Sequence, residues 1–188
     1  MGNFVVIDTE TTWSDEVMSI GLVIASCATF DTIDSRYYII DPEYRHGGMF
    51  SSVLHYRGTP QEIICSRNEA MTSINQWLKE NHIDIILAYN ARFDKGHLPE
   101  LKQYTWCDIM RLAAYIQFNC RIPCDAPLYK TGRLKRGYGV ESIVRLLSNN
   151  PKYYEKHNAW WDANDELMIM RLLEHPIALY LEHTLIED

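Results

Sequence analysis

The sequence has no apolar run long enough to cross a membrane, because runs such as FVVI, IGLVIA and IDIILA are only strand-sized. We therefore expect no membrane-spanning segment and no membrane partner. The opening stretch MGNFVVIDTE also lacks the basic region that precedes the apolar part of a secretory signal. The five cysteines are an odd number in a long chain, which predicts reduced thiols and a cytoplasmic location.

The sequence also lacks an excess of positive charge, since 18 Lys and Arg face 25 Asp and Glu, giving a net charge of -7. Proteins that hold long nucleic acids without sequence preference are usually basic. The balance therefore argues against a long electrostatic track. It still permits a protein that binds the end of a strand, if bound cations offset some of the acidic residues.

The chain has 188 residues, 47% of them hydrophobic, which predicts a single globular domain over residues 1–188. We find no internal repeat, low-complexity tract or interdomain linker. Three early strands with short connections predict an antiparallel meander, and a later strand among helices predicts an α/β fold with a central mixed sheet and flanking helices. The predicted strands are 4–7, 17–25, 36–40 and 83–89, with a turn over 29–35; the predicted helices lie over 70–78, 109–118, 140–147, 161–173 and 176–181; and the predicted loops are 41–60 and 119–138.

Paired acidic residues follow the first strand and a third follows the later one. Asp8 and Glu10 are two apart, so in a strand both point to the same face and could reach one metal ion. Asp94 comes just after the strand over 83–89, where sites collect in α/β sheets. Taken alone, each group has an ordinary explanation as a solvated turn or a charge in the first turn of a helix.

A histidine and further acidic residues occur near the end of the sequence. His157 and Asp162 are five apart, so we expect His157 on a loop and Asp162 on the helix that follows. Histidine is the side chain whose ordinary pKa suits proton transfer near pH 7. Asp165 and Glu166 are predicted to form the solvated face of that helix. An exposed histidine beside a helix start would explain this segment equally well by itself.

The three segments together, in this order, resemble the three motifs of the DEDDh 3′-to-5′ exonucleases, the proofreading-exonuclease superfamily with a ribonuclease H-like fold. The resemblance spans about residues 3 to 175 and is carried by FVVIDTETT, by NARFD at 90–94, and by HNAWWDA at 157–163. A weaker similarity of FDKGHLPEL and TWCDIMRLA to the stand-alone exonuclease X type favours DNA as the substrate.

The resemblance implies a centre with two divalent cations, Mg²⁺ or Mn²⁺. Asp8, Glu10 and Asp162 would hold the first ion, while Asp8 and Asp94 would hold the second, Asp94 directly or through water. His157 would take a proton from the attacking water, and the product would be a 5′-mononucleotide. Two ions that flank the scissile phosphate are the usual arrangement for this reaction.

The resemblance also suggests which residues contact the substrate. Thr11 and Thr12 would lie at the terminal nucleotide, while Trp13, which departs from the glycine usual in the family, would close or flank its pocket. Phe93 is predicted either to stack on a base or to pack in the core, and Asn90 to fix its loop more than to touch substrate. A basic segment is predicted either to contact backbone phosphates or to be a solvated loop; it contains Lys130, Arg133, Lys135 and Arg136.

Three alternatives remain at the level of sequence. The substrate could be the 3′ end of single-stranded DNA or of a short RNA such as a tRNA, since either fits such a site. The chain could also be a binding module that has lost the chemistry, although all five catalytic positions are filled. Association with a polymerase is possible, but the sequence contains no glutamine-led clamp-binding peptide to support it.

Overall fold

The computed structural model describes residues 2–185 and begins with the predicted meander. Strands β1 (Asn3–Thr11), β2 (Val17–Ser26) and β3 (Thr32–Ile40) pair antiparallel in sequence order. β3 begins inside the segment predicted as a turn. Its polar first residues are exposed, but their backbone continues the ladder with β2, so pairing rather than apolar character sets the start of the strand.

Parallel strands extend the meander on both sides, in the order β4-β3-β2-β1-β5-β6. β4 (Glu62–Cys65) pairs with β3, β5 (Ile83–Ala88) with β1, and β6 (Thr105–Asp108) with β5. The mixed sheet is thus confirmed, although β4 and β6 were not predicted. Each has only four residues, which is too short for an alternating pattern to be recognised.

Helices cover both faces of the sheet, as predicted. One predicted helix is much shorter than expected, since only Met110–Ala113 of residues 109–118 is helical. Two short 3-10 turns lie within the predicted loop over 41–60, and no helix among the described residues is long and apolar enough to span a bilayer. The helices are α1 (Arg67–Glu80), α2 (Arg92–His97), α3 (Met110–Ala113), α4 (Val140–Ser148), α5 (Ala159–Leu173) and α6 (Ile177–Leu181).

Strand β1 divides the core into two layers because its side chains alternate between the faces of the sheet. Phe4 and Val6 pack with the α4 and α5 side, while Val5 and Ile7 pack with the α1 side. The same alternation carries the even-numbered acidic residues of β1 to the α5 side. The buried part of the strand therefore fixes which helix the acidic residues meet.

Gly21 lets the start of α5 lie directly on the sheet. It is the cross-strand partner of Asp8, and a Cβ atom at this position would lie 2.1 Å from the carbonyl oxygen of Ala159. Any larger residue would force the helix away from the sheet. The glycine therefore brings Asp162, one turn further along α5, close to the end of β1.

Candidate metal centre

Three of the predicted acidic side chains meet at the end of β1. Carboxylate oxygens of Asp8, Glu10 and Asp162 all lie within 4.8 Å of one another. Glu10 and Asp162 are buried, and Asp8 is partly exposed. The prediction that Asp8 and Glu10 share a face is confirmed, and α5 supplies the third carboxylate to that face.

Asp94 comes to the same region from α2, which follows β5. It is 2% exposed, and Oδ1 accepts a hydrogen bond of 2.7 Å from the hydroxyl of Thr9. Thr9 lies between the two acidic residues of β1, so the strand that carries them also orients Asp94. The bond to Thr9, the neighbour of both Asp8 and Glu10 along β1, places Asp94 at the same end of the strand.

His157 lies on a loop before α5, as predicted, with a left-handed backbone (φ 54°). The ring of Phe50 stacks on its imidazole, with 4.2 Å between centroids and 14° between planes. One of its ring nitrogens lies within 4.8 Å of carboxylate oxygens of both Asp162 and Glu155. The histidine therefore faces the acidic cluster while an aromatic ring supports its other side.

Asn158 fixes the position of His157 by joining α5 to the loop that carries Phe50. Its side-chain oxygen caps the helix at the backbone N–H of Trp161, and its amide donates to the Val53 carbonyl over 2.9 Å and to the Tyr37 hydroxyl over 3.0 Å. The side chain of Asn158 is fully buried, and both its oxygen and its NH₂ group are hydrogen-bonded, so it holds this segment in place. No local pattern in the segment over 41–60 indicates that it supports the histidine.

The prediction that Asp165 and Glu166 form a solvated helix face is wrong. Asp165 is 8% exposed and Glu166 is 1% exposed. Both lie three or four residues after Asp162, a spacing that places side chains on one side of a helix. That spacing is the signal in the sequence that could have identified them. Glu155, on the loop before His157, is a further acidic residue that was not predicted.

Crowding and burial hold protons on these carboxyl groups when no cation is bound. Burial, followed by neighbouring acidic charges, raises the pKa of Glu10 to about 8 and that of Asp162 to about 9. Burial also raises the pKa of Asp94 to about 7, against the lowering effect of the Thr9 hydroxyl. The pKa of Asp8 is raised well above its usual value by burial and by the charges of Asp94 and Asp162. Such clustered shifts are typical of functional sites.

The donor set fits hard divalent cations. The group of Asp8, Glu10 and Asp162 offers only carboxylate oxygens, the donors that Mg²⁺ and Mn²⁺ prefer. The buried Oδ1 of Asp162 and Oε2 of Glu166 have no hydrogen-bond partner within the protein. Buried charged oxygens without a partner are costly, and a cation supplies the missing interaction. The geometry therefore favours a metal centre over a set of structural hydrogen bonds.

We expect the metal-free protein to lose thermal stability as the pH rises from about 5 to 9. Unfolding returns the pKa of Glu10 from about 8, and that of Asp162 from about 9, to ordinary values, so the folded state binds more protons in this window. Stability must then fall as the pH rises through the window. Thermal melting with and without Mg²⁺ should show a decline on the order of 5 °C that the ion removes.

The Asp162→Asn protein is the matched control for this pH effect, because it lacks one titrating member of the cluster. Its metal-free melting temperature should change less between pH 5 and 9 than that of the unsubstituted protein. An equal pH dependence in the two proteins would contradict the assignment of the effect to this cluster.

The residues predicted to hold the terminal nucleotide lie beyond the acidic end of β1. Thr11 is partly exposed, whereas Thr12 is buried and its hydroxyl accepts from the backbone N–H groups of Ser14 and Glu16, each over 3.2 Å. Trp13 is 72% exposed. Thr12 therefore shapes the turn, and the exposed indole of Trp13 is open to a ligand.

Phe93 is 41% exposed, so of its two predicted roles core packing is excluded. It lies against His97, with ring centroids 4.3 Å apart, and both line a cleft of about 660 Å³ beside α2. Asn90 has a left-handed backbone (φ 62°), and its N–H donates to Asp108 over 3.0 Å. The backbone of Asn90 rather than its side chain makes this bond, so the loop-fixing role of the side chain stays a prediction, and Asp108 is a partner that was not predicted.

The basic segment forms an ordered loop in which Arg133 lies between two tyrosine rings. Its guanidinium carbon is 4.9 Å from the ring centre of Tyr129 and 5.2 Å from that of Tyr138. Both tyrosines are partly exposed, and the Tyr89 hydroxyl donates to the Tyr138 carbonyl. The loop is thereby attached to the residue before Asn90. The other predicted basic residues, Lys130, Lys135 and Arg136, are exposed.

Comparison with known proteins gives no match to a family model and no match among curated proteins. Solved structures do match. The nuclease domain of 3′hExo, described as a DEDDh family member bound to rAMP, aligns with a TM-score of 0.64 and 13% identity, over 99% of this chain and 96% of that one. The chain has the fold of the DEDDh exonucleases.

Two further structures extend the comparison. E. coli Exonuclease I in complex with a dA16 oligonucleotide aligns with a TM-score of 0.63 and 15% identity; the match covers 97% of this chain but only 42% of Exonuclease I. A 3′-exonuclease that recognises the 3′ end of a histone mRNA stem-loop aligns with a TM-score of 0.59 and 14% identity, over 90% of this chain and 80% of that one. The ribonuclease H-like fold expected from the three motifs is confirmed.

Proposed function

We propose that this protein is a 3′-to-5′ exonuclease that hydrolyses terminal phosphodiesters of single-stranded nucleic acid with the help of two divalent cations. The observation that carries the proposal is the meeting of Asp8, Glu10 and Asp162, with His157 directed at the same cluster. The DEDDh fold and the motif order support it. A binding module without chemistry would have no need for such a costly cluster of buried acids beside a histidine.

Each catalytic residue has a distinct role in the proposed reaction. Asp8, Glu10 and Asp162 would hold one Mg²⁺ or Mn²⁺ ion, and Asp8 and Asp94 would hold the other. When bound, the two ions supply an activated water and stabilise negative charge on the phosphate and the leaving 3′-oxygen. Thr9 orients Asp94 through its hydroxyl, so the strand that carries two ligands also positions the fourth.

His157 accepts the proton of the attacking water in this mechanism. Phe50 and Asn158 hold the imidazole at the edge of the carboxylate cluster. The imidazole can therefore accept the proton without a movement of the backbone. The new P–O bond forms as the bond to the 3′-oxygen of the penultimate nucleotide breaks. A 5′-mononucleotide leaves, and the shortened strand keeps a 3′-hydroxyl.

Single-stranded DNA is our first choice of substrate, because the segments around FDKGHLPEL and TWCDIMRLA resemble stand-alone exonucleases of the exonuclease X type. RNA is the second candidate. Two structural neighbours are described with rAMP and with a histone mRNA stem-loop. The 2′-hydroxyl is the group by which the pocket near Thr11 and Trp13 would distinguish the two.

Digestion of matched 5′-labelled DNA and RNA oligomers, with Mg²⁺, Mn²⁺ or a chelator, tests the proposal. We expect a metal-dependent ladder that shortens from the 3′ end, with 5′-mononucleotides as products and faster loss of DNA. An oligomer blocked by a 3′-phosphate is the control for polarity. Internal cuts alone, or no cleavage of either polymer, would overturn the proposed function.

The loop that contains Arg133 is proposed to hold the strand upstream of the terminal nucleotide. Stacking of bases on aromatic rings tolerates any sequence, and a cation between the rings attracts phosphate. We expect Arg133→Ala to raise the KM for a ten-nucleotide strand about 10-fold, because the phosphate loses its cation and the two tyrosine rings lose the group that holds them in place for stacking. Turnover of a dinucleotide, which is too short to reach the loop, should not change.

Arg121→Ala removes an exposed arginine from the same loop region and is the matched control. It should leave the KM for both substrates unchanged. An equal effect of Arg133→Ala on long and short substrates would show that the loop does not follow the strand.

A further inference from the structure

Glu166 is a buried carboxylate that the proposed mechanism does not use. It lies one helical turn after Asp162 on α5 and is 1% exposed. Residues four apart on a helix project from the same side, so Glu166 and Asp162 face the sheet together. A glutamate side chain is rarely fully buried unless it is paired or coordinates a metal.

One oxygen of this carboxylate has no partner. Oε2 of Glu166 is inaccessible to water and accepts no hydrogen bond from the protein, a condition that it shares with Oδ1 of Asp162. The backbone N–H of Tyr89 favours the charged form of Glu166, whereas burial and the charges of neighbouring acids oppose it. The missing interaction at Oε2 is therefore of the kind that a cation provides.

The surroundings of Glu166 indicate which ion it would face. Among the acidic charges that act on it, that of Asp94 is the largest, followed by those of Asp162 and Glu155. Glu166 is also among the charges that act on Asp8, whereas it lies outside the compact group of Asp8, Glu10 and Asp162. Tyr89, whose backbone N–H donates to Glu166, directly follows β5 and precedes α2, the helix that carries Asp94, so Glu166 lies on the side of the cluster where Asp94 and Asp8 would hold the second ion.

We propose that Glu166 is an additional carboxylate of the metal centre, which strengthens binding of the second cation at Asp94 directly or through a bound water. This inference rests on the proposed two-ion site. Mg²⁺ is usually held by one or two carboxylates together with substrate phosphates. A third carboxylate on this side lets the second ion bind before the nucleic acid does.

Direct metal titration without nucleic acid tests this role. Free Mn²⁺ is counted by electron paramagnetic resonance during titration of the intact protein, of Glu166→Gln, and of Glu174→Gln. The last variant makes the same substitution at an exposed residue directly after α5. We expect two ions per chain in the unsubstituted protein and in Glu174→Gln. Glu166→Gln should bind the first ion normally and the second about 10- to 100-fold more weakly.

Three results would overturn the inference: a single ion bound by the unsubstituted protein, unchanged binding of both ions by Glu166→Gln, or equal weakening of both. Glu166→Asp keeps the charge and should recover part of the second ion's affinity, which a purely structural role does not predict. Circular dichroism of each variant establishes that it is folded. Two bound ions, with weaker second-ion binding in Glu166→Gln but no digestion of any oligomer, would remove the proposed function and leave this inference intact. Digestion with unchanged ion binding by Glu166→Gln would remove this inference and leave the proposed function intact.

Discussion

Replacement of Asp8 by asparagine is expected to lower the rate of 3′-terminal hydrolysis on the order of 10³-fold or more, as befits the loss of a group that organises transition-state charge. Asp8 is the carboxylate that the two proposed ion positions would share, and its electrostatic neighbours include Asp94, Asp162 and Glu10. Asparagine keeps the shape of the side chain and removes its charge. The measurement is the initial rate of digestion of a 5′-labelled single-stranded oligomer in Mg²⁺.

The same substitution should not weaken the metal-free fold, which separates a catalytic effect from an unfolded protein. Because the pKa of Asp8 is raised in the folded protein, keeping or ionising this carboxyl group costs stability at pH 8, so the melting temperature of Asp8→Asn without metal should stay equal or rise at that pH. Asp31→Asn, an exposed aspartate at the turn between β2 and β3, is the control and should keep full activity. Near-normal hydrolysis by Asp8→Asn would exclude the shared-ligand role.

The central part of the fold could be predicted because its sequence pattern and its packing agree. Phe4, Val6 and the two acidic residues of β1 lie on one face by simple alternation, and the structure retains that arrangement. The strands that escaped prediction are four residues long, and β4 lies at an edge where its residues are only partly buried. Parallel pairing with distant strands, rather than a local pattern, defines both of them.

The candidate site was predictable where a motif carried the residue and unpredictable where only tertiary contacts do. The segments that resemble the DEDDh motifs point to Asp8, Asp94 and His157, but nothing local distinguishes Glu166 from an exposed helix charge. Its burial follows from the close approach of α5 to the sheet at Gly21, a contact between residues far apart in sequence. The stacking of Phe50 on His157 likewise joins two segments more than 100 residues apart, so the local pattern carries no sign of it.

Replacement of His157 by alanine is expected to lower turnover by about 10²- to 10⁴-fold, the usual contribution of a general base. Added imidazole should restore part of the activity, since the cavity left beside Phe50 can admit the ring. His55→Ala, an exposed histidine on the loop before β4, should have no effect and is the matched control. The rate of release of 5′-mononucleotides from single-stranded DNA measures both variants.

Mn²⁺ titration of the same variant separates a proton acceptor from a metal ligand, because His157 also lies within 4.8 Å of carboxylate oxygens of Glu155 and Asp162. If His157 only accepts the proton of water, its removal leaves the affinities for both ions unchanged. If His157 is a metal ligand, its removal weakens the binding of at least one ion. We expect His157→Ala to bind both ions with unchanged affinity. Phe50→Ala keeps the imidazole but removes its stacking partner, so we expect a smaller loss of turnover, about 10-fold. Weaker metal binding by His157→Ala would instead assign the histidine to the metal centre. The proton acceptor would then be one of the neighbouring carboxylates, and Glu155 is the first to test.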